Sequence, residues 1–216
     1  MANAHLIAGD AGCILVDAGM PGSERKIAKV LTRHGLSMKD IKLIVVTHAH
    51  VDHAGSAASL RKLSGAPILA HRDDADFYSR RVPMTFCPTG RVGRLFLKTP
   101  LPHEPYEGFE PDILLRDSDT VNLADFGVDG IVRHTAGHTP GSIAVELSSQ
   151  DALVGDLIAS GILLGGIAFT GIRFATKRSR SGCTVRSLVA TMYQLGFVFH
   201  AVPSTFWVNK SAAGAK

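Results

Sequence analysis

The chain reads as an α/β protein built in layers, and three observations carry that reading. Ile41-Lys42-Leu43-Ile44-Val45-Val46 is short, rich in β-branched residues and bounded by polar ones, which marks a buried strand. Helical spacing flanks it, with Ile27, Val30 and Leu31 forming an apolar stripe before it and Ala57, Leu60 and Leu63 a run after it. Pro67-Ile68-Leu69-Ala70 then supplies a second short strand. Strand, helix, strand in that order implies helices laid on a sheet.

The elements follow in order along the chain. His5 to Leu15 suggests a hairpin, because Gly9-Asp10-Ala11-Gly12 suits a tight turn. Gly19-Met20-Pro21-Gly22-Ser23 leads into the first helix, with Ser23 as its N-cap and Gly35 near its end. The strand Ile41–Thr47 delivers a polar loop, and a helix starts just after that loop and runs to Gly65. Residues 73–111 differ, with proline at 83, 88, 100, 102, 105 and 111 and six aromatic residues among them. A long proline-rich connection in a compact domain is often functional. A surface excursion packing its own aromatics is the equal alternative. Asp119–Leu123 and Ile131–Thr135 read as strands joined by a turn, and Ala152–Asp156 as an apolar strand ending in an acid. Val185–Leu195 has helical spacing, and Phe197-Val198-Phe199 follows as a strand.

Composition bounds the class. At 216 residues, 45% hydrophobic and 19% charged, the chain has the length and balance of one globular domain with a sizeable core. Met1-Ala2-Asn3-Ala4-His5 lacks the basic start and apolar centre of a secretory peptide. Cys13, Cys87 and Cys183 are far apart and read as reduced thiols, so a cytoplasmic location is expected. The apolar stretch 152–171 is long enough to span a bilayer, yet it holds Asp156 and five glycines. An unpaired aspartate in lipid is costly, so a strand followed by a glycine-rich loop explains it better, and no membrane partner is expected.

Charge divides unevenly. All 19 acidic residues lie at or before Asp156, where 16 basic residues accompany them. The remaining seven basic residues, Arg173, Lys177, Arg178, Arg180, Arg186, Lys210 and Lys216, face no acid in the tail. Such asymmetry can mark an anionic partner. The tail lacks basic residues interleaved with an aromatic stacking platform, so nucleic acid ranks below a small-molecule substrate. A homo-oligomer stays open.

The densest signal is Thr47-His48-Ala49-His50-Val51-Asp52-His53, four ligand-type residues directly after a strand. Imidazole nitrogen and carboxylate oxygen suit Zn²⁺ and similar borderline metals. His134-Thr135-Ala136-Gly137-His138-Thr139-Pro140-Gly141-Ser142 and Gly155-Asp156 add further donors downstream, and Ile14-Leu15-Val16-Asp17-Ala18-Gly19 is a strand followed by an Asp-x-Gly turn. His48, His50, Asp52 and His53, the Gly-His-Thr-Pro-Gly-Ser block around His138, and Gly155-Asp156 together resemble the metallo-β-lactamase superfamily from about residue 3 to about residue 171. Several spaced motifs agree in order, which one isolated pattern does not do.

The resemblance implies an αββα sandwich, two mixed β-sheets flanked by helices, here shortened at the amino end because the chain starts almost at its first strand. It implies that His48, His50 and His138 hold one metal, that Asp52 and His53 help hold a second, and that Asp156 bridges the two. Zinc is the expected ion, one or two per chain, with iron as the other candidate. A hydroxide between two divalent cations attacks a carbonyl carbon or a phosphorus, and Asp52 serves additionally as proton acceptor. Asp17 reads as a support for the ligands or a turn former, and His134 as a support for His138 or a core histidine. The implied reaction is hydrolysis of a small ester, thioester, lactone or lactam, as in the glyoxalase II and lactonase-like branch. A mono-iron enzyme resembling persulfide dioxygenases, held by His48, His138 and Asp156, is the alternative, and a catalytically impaired member a third.

The departure comes at the carboxyl end. The family's last histidine, often in Gly-His-Gly, has no counterpart: Pro203 takes its register and His200 sits a few residues early. A weak second metal site is therefore expected. Residues 1–216 read as a single domain whose segment 172–216 is atypical and basic. Two origins stand for that segment, a family tail with a basic face and a piece foreign to the family.

Overall fold

The computed structural model describes residues 4–84, 86, 94–95 and 97–157, together with the backbone of three short strands at 159–160, 168–169 and 208–210. The chain opens with the hairpin β1 (His5–Gly9) and β2 (Gly12–Val16), turning at Asp10-Ala11 as the sequence implies. Then come α1 (Glu24–Arg33), β3 (Ile41–Val45), α2 (Val51–Ala54), α3 (Ala57–Ser64), β4 (Ile68–His71), α4 (Ala75–Tyr78) and β5 (Ile113–Leu115). β6 (Thr120–Asn122), β7 (Gly130–His134), β8 (Ile143–Leu147) and β9 (Ala152–Leu153) complete the main body. β10 (Ala159–Ser160) pairs with β11 (Ala168–Phe169), and β12 (Val208–Lys210) lies parallel to β1.

Two sheets form. The first has the order β12-β1-β2-β3-β4-β5, with β2 to β5 parallel, and the second has the order β6-β7-β8-β9. The first sheet mixes both directions, and every pairing in the second is antiparallel. Its connections explain why: β6 to β9 are joined by short turns, and short turns can only reverse a strand.

Alternation sorts each central strand's side chains. Cys13 and Leu15 of β2 and Ile44 of β3 pack with Ile27 and Leu31 of α1 and Leu60 of α3. Their chain neighbours Ile14, Val16, Leu43 and Val45 pack instead against Val132, Ile143 and Val145 of the second sheet. The first sheet is thus covered by helices on one face and by the second sheet on the other. That is why its strands are continuous apolar runs instead of alternating ones. Each such fully buried aliphatic side chain stabilises the fold by about 1.5–3 kcal/mol.

Some local expectations shift. Ser23 occupies the N-cap of α1, but its side chain makes no capping bond; its amide donates to Ser56 Oγ at 2.9 Å. Leu63 is exposed, on the outer side of α3. The strand at 152 is only two residues long before a helical turn at Gly155–Leu157 carries Asp156. The helix expected at Val185–Leu195, the strand at Phe197–Phe199, His200 and Pro203 lie outside the described residues. Among the described residues, no helix is long and apolar enough to cross a membrane.

Parallel strands end on one side, and the loops after β2, β3 and β4 therefore share an edge. The β7–β8 turn and the end of β9 meet them there. A direct bond joins the two sheets at this edge, from the Ile143 amide to the Thr47 carbonyl at 2.9 Å.

Candidate metal centre

His48 and His50 follow β3, His138 sits in the β7–β8 turn, and Asp156 follows β9. The fold brings one donor atom of each to within 4.8 Å of the others. His50 Nδ1 lies 3.1 Å from His48 Nε2 and 2.9 Å from His138 Nε2. Asp156 Oδ2 stands 4.0 Å from His48 Nε2 and 3.7 Å from His138 Nε2. Four donors 2.0–2.1 Å from one tetrahedral cation lie about 3.3–3.4 Å apart. The observed separations bracket that edge length.

Proton bookkeeping supports the same reading. Asp17 follows β2 with φ +62, a left-handed conformation that aspartate tolerates. Its carboxylate accepts from the Thr47 amide at 2.8 Å, from Thr47 Oγ1 at 3.0 Å and from His53 Nδ1 at 2.7 Å. Thr47 has spent its only hydroxyl proton on Asp17, so it accepts from His48 Nδ1 at 3.1 Å. Both rings thus carry a proton on Nδ1 and turn Nε2 inward, as a free lone pair on His48. Burial holds the His48 imidazole well below the usual histidine pKa, pushes His50 down to about 3 and lowers His138, with neighbouring imidazoles adding to the effect. Three neutral rings with converging nitrogens are what a borderline divalent cation requires.

Asp52 and His53 lie beside this group. His53 Nε2 is 3.3 Å from Asp156 Oδ1 and 4.0 Å from Asp52 Oδ2. A buried nitrogen facing two carboxylates needs a proton or a cation between them. Burial lowers the His53 pKa, but Asp17 and Asp156 outweigh it and hold it well above the usual value. Burial raises Asp156, yet its bond to His53 and the surrounding imidazoles hold it below the usual carboxylate range. His53 and Asp156 thus behave as a charged couple when no cation replaces the proton.

Three contributors escape a reading of the sequence. Phe86 stacks on His50, ring centroids 4.8 Å apart and 21° between planes, so one aromatic ring of the proline-rich segment lies against the site. The Tyr106 hydroxyl reaches the Ala49 carbonyl at 3.3 Å from the same segment. Asp74 is fully buried between the two histidine loops. No motif announces any of them, because each acts through a contact distant in sequence.

A second donor group, His71, Asp73 and His134, also gathers. Its two rings are stacked, centroids 3.7 Å apart and 13° between planes. A ring nitrogen's lone pair lies in the ring plane, so nearly parallel rings direct their lone pairs alongside each other. This group does not converge on a cation. His134 instead bonds the Pro140 carbonyl at 2.8 Å, bracing the turn that carries His138.

Comparison with known proteins agrees with this geometry. The metallo-beta-lactamase superfamily profile matches residues 1–179. A UPF0173 metal-dependent hydrolase of Pyrococcus abyssi is 31% identical over 172 residues, covering 76% of this chain and 70% of the relative. A hydroxyacylglutathione hydrolase of Haemophilus influenzae is 28% identical over 56% of this chain and 52% of its own length. Among solved structures, a class B3 di-zinc metallo-beta-lactamase from an Alaskan soil metagenome superposes with a TM-score of 0.52 at 28% identity, covering 69% of this chain and 53% of that one. The chain spans about half the length of such solved structures. With the fold, the donor cluster and the profile in agreement, the chain belongs to the metallo-beta-lactamase superfamily.

Proposed function

We propose that this chain is a zinc-dependent hydrolase of a small ester, thioester, lactone or lactam. His48, His50, His138 and Asp156 hold the first ion, and Asp52, His53 and Asp156 offer a weaker second position. The observation that carries this reading is the convergence of three neutral ring nitrogens within 3.1 Å of their central member, His50 Nδ1. A relative named as a hydroxyacylglutathione hydrolase and structural neighbours named as metallo-beta-lactamases support acyl transfer to water as the reaction class.

A divalent cation held there would supply Lewis-acid polarisation of an acyl oxygen and bring the pKa of its bound water down toward neutrality. The chain's own residues do the rest. Asp17 and Thr47 fix the tautomer of His48, and Asp17 fixes that of His53, so the lone pairs stay inward. Asp52, partly exposed beside His53, accepts the proton of the attacking water on its carboxylate. Phe86 covers one side of His50, keeping bulk water off that face and offering an apolar surface to the acyl group.

A mono-iron centre held by His48, His138 and Asp156 alone leaves His50 Nδ1 without a role, although it lies nearest to both neighbours. The test is metal analysis of the natively loaded chain together with a panel of small esters, thioesters and lactones. The reading expects zinc, and turnover of at least one class that a chelator abolishes and added zinc restores. A zinc-loaded chain inert toward the whole panel, or one equivalent of iron in its place, refutes it.

A further inference from the structure

We infer that Asp74 is a positioning residue that sets the separation of the two loops carrying the three histidines. This inference rests on the metal-site reading above. Asp74 lies at the turn after β4, in neither loop, and is fully buried. Its Oδ2 accepts from the Ala49 amide at 3.1 Å, and Ala49 stands between His48 and His50. The same oxygen accepts from Thr139 Oγ1 at 2.7 Å, and Thr139 is the next residue after His138. Its Oδ1 accepts from the Gly141 amide at 2.8 Å, two residues further on. One carboxylate therefore binds the chain neighbours of all three imidazoles.

The surroundings leave little freedom. Ser142 Oγ accepts from the Thr139 amide at 2.9 Å and lies 3.0 Å from Thr139 Oγ1, so the hydroxyl that bonds Asp74 is itself held. A Cβ on Gly141 would stand 2.7 Å from both the Asp74 amide nitrogen and its Cγ. The turn thus sits directly on Asp74, at a distance only glycine permits. Three donors converge on an acceptor-only group, so an ionised carboxylate satisfies them all and a neutral amide does not. In Asp74→Asn, the NH₂ must face either the Ala49 amide or the Gly141 amide, and that donor is left without an acceptor. In a site whose donors lie 2.9 and 3.1 Å apart, a small shift between the loops moves His138 away from His48 and His50.

The experiment compares the full chain with Asp74→Asn, Asp74→Ala and Thr139→Val. Zinc affinity is read by competition with a chromophoric chelator, and coordination by the visible spectrum of the Co²⁺-loaded proteins. Both are taken at a temperature where circular dichroism shows each protein folded. A merely structural role lowers the melting temperature but leaves the affinity and Co²⁺ spectrum of the folded protein unchanged. Loss of loop positioning weakens zinc binding by about 10–100-fold in the Asp74 variants and alters the Co²⁺ spectrum. Zinc binding weakened by less than about threefold in a folded Asp74 variant, with an unaltered Co²⁺ spectrum, overturns the inference. If neither Asp74 variant folds, Thr139→Val decides on the same criterion, since it removes one of the three bonds and keeps the side-chain volume. A wild-type chain that binds no zinc overturns the metal-site reading itself, and the inference with it.

Discussion

Asp17→Asn tests the tautomer argument at the root of the site. The position suits asparagine, because φ is +62 and asparagine tolerates the left-handed region as aspartate does. The Thr47 amide keeps its acceptor at Oδ1, but Oδ2 becomes an NH₂ that can only donate. It faces His53 Nδ1 and Thr47 Oγ1, both of which donate to Asp17 in the wild type. To avoid donor against donor, His53 must give up its Nδ1 proton and keep the one on Nε2. The Thr47 hydroxyl must turn toward His48 Nδ1, which moves that ring's proton to Nε2 as well. Replacing aspartate by asparagine beside a histidine selects the wrong tautomer in this way. Two charge-assisted bonds worth about 1.5–3 kcal/mol each become neutral ones worth about 0.5–1.5 kcal/mol. The cheaper burial of an amide offsets part of that, for a net loss of about 1–2 kcal/mol in the metal-free protein. Zinc affinity suffers more, by about 10–100-fold, since a protonated Nε2 is no ligand. Urea unfolding in the presence of chelator reads the first number and chelator competition the second. Zinc binding within about twofold of wild type, in a protein destabilised as stated, refutes the reasoning.

Three further outcomes follow from particular contacts. Gly155 has φ +54, and a Cβ there would stand 2.6 Å from Thr47 Oγ1, so Gly155→Ala should destabilise the fold by about 1–3 kcal/mol and weaken zinc binding; an unchanged denaturation midpoint contradicts this. Leu69→Ala empties a fully buried position between the sheets and should destabilise by about 2–5 kcal/mol in urea titration, against less than 1 for a site that is not core. Burial, then the stacked His134 and Arg72, lower the His71 pKa, while Asp73 and Asp117 oppose them. The folded state therefore binds fewer protons than the unfolded one, and this contribution is complete above pH 6.5 and lost as pH falls below it. His71→Phe keeps a stacked ring without the proton, so its stability should decline less steeply between pH 6.5 and 5, by up to about one proton per molecule.

Much of the scaffold is legible in the sequence because burial writes itself into local pattern. The run Ile41–Val46 is apolar apart from Lys42 since both faces of β3 are covered, and Ile27, Val30 and Leu31 recur at helical spacing since one face of α1 is. The grouping of His48, His50, His138 and Asp156 is legible for another reason: their spaced motifs resemble one family's, which implies that the loop after β3, the β7–β8 turn and the end of β9 meet at one edge. What escapes is long-range pairing. Nothing local tells that Asp17 will meet His53, 36 residues away, or that Asp74 will meet Thr139 across 65. Phe86 on His50 and His71 on His134 are likewise products of how loops fold back, and such contacts leave no period in the chain. In the second sheet β8, Ile143–Leu147, is as long as β7 yet goes unread, because Ile143, Ala144 and Val145 are all buried and blur the two-residue alternation.

The central claim is that His48, His50 and His138 bind one ion together, and zinc K-edge absorption on the chain loaded with a single equivalent addresses it most directly. Three imidazole ligands at about 2.0–2.1 Å with one oxygen donor are expected, falling to two imidazoles in His138→Ala. A spectrum with one imidazole or none, or one that His138→Ala leaves unchanged, contradicts it.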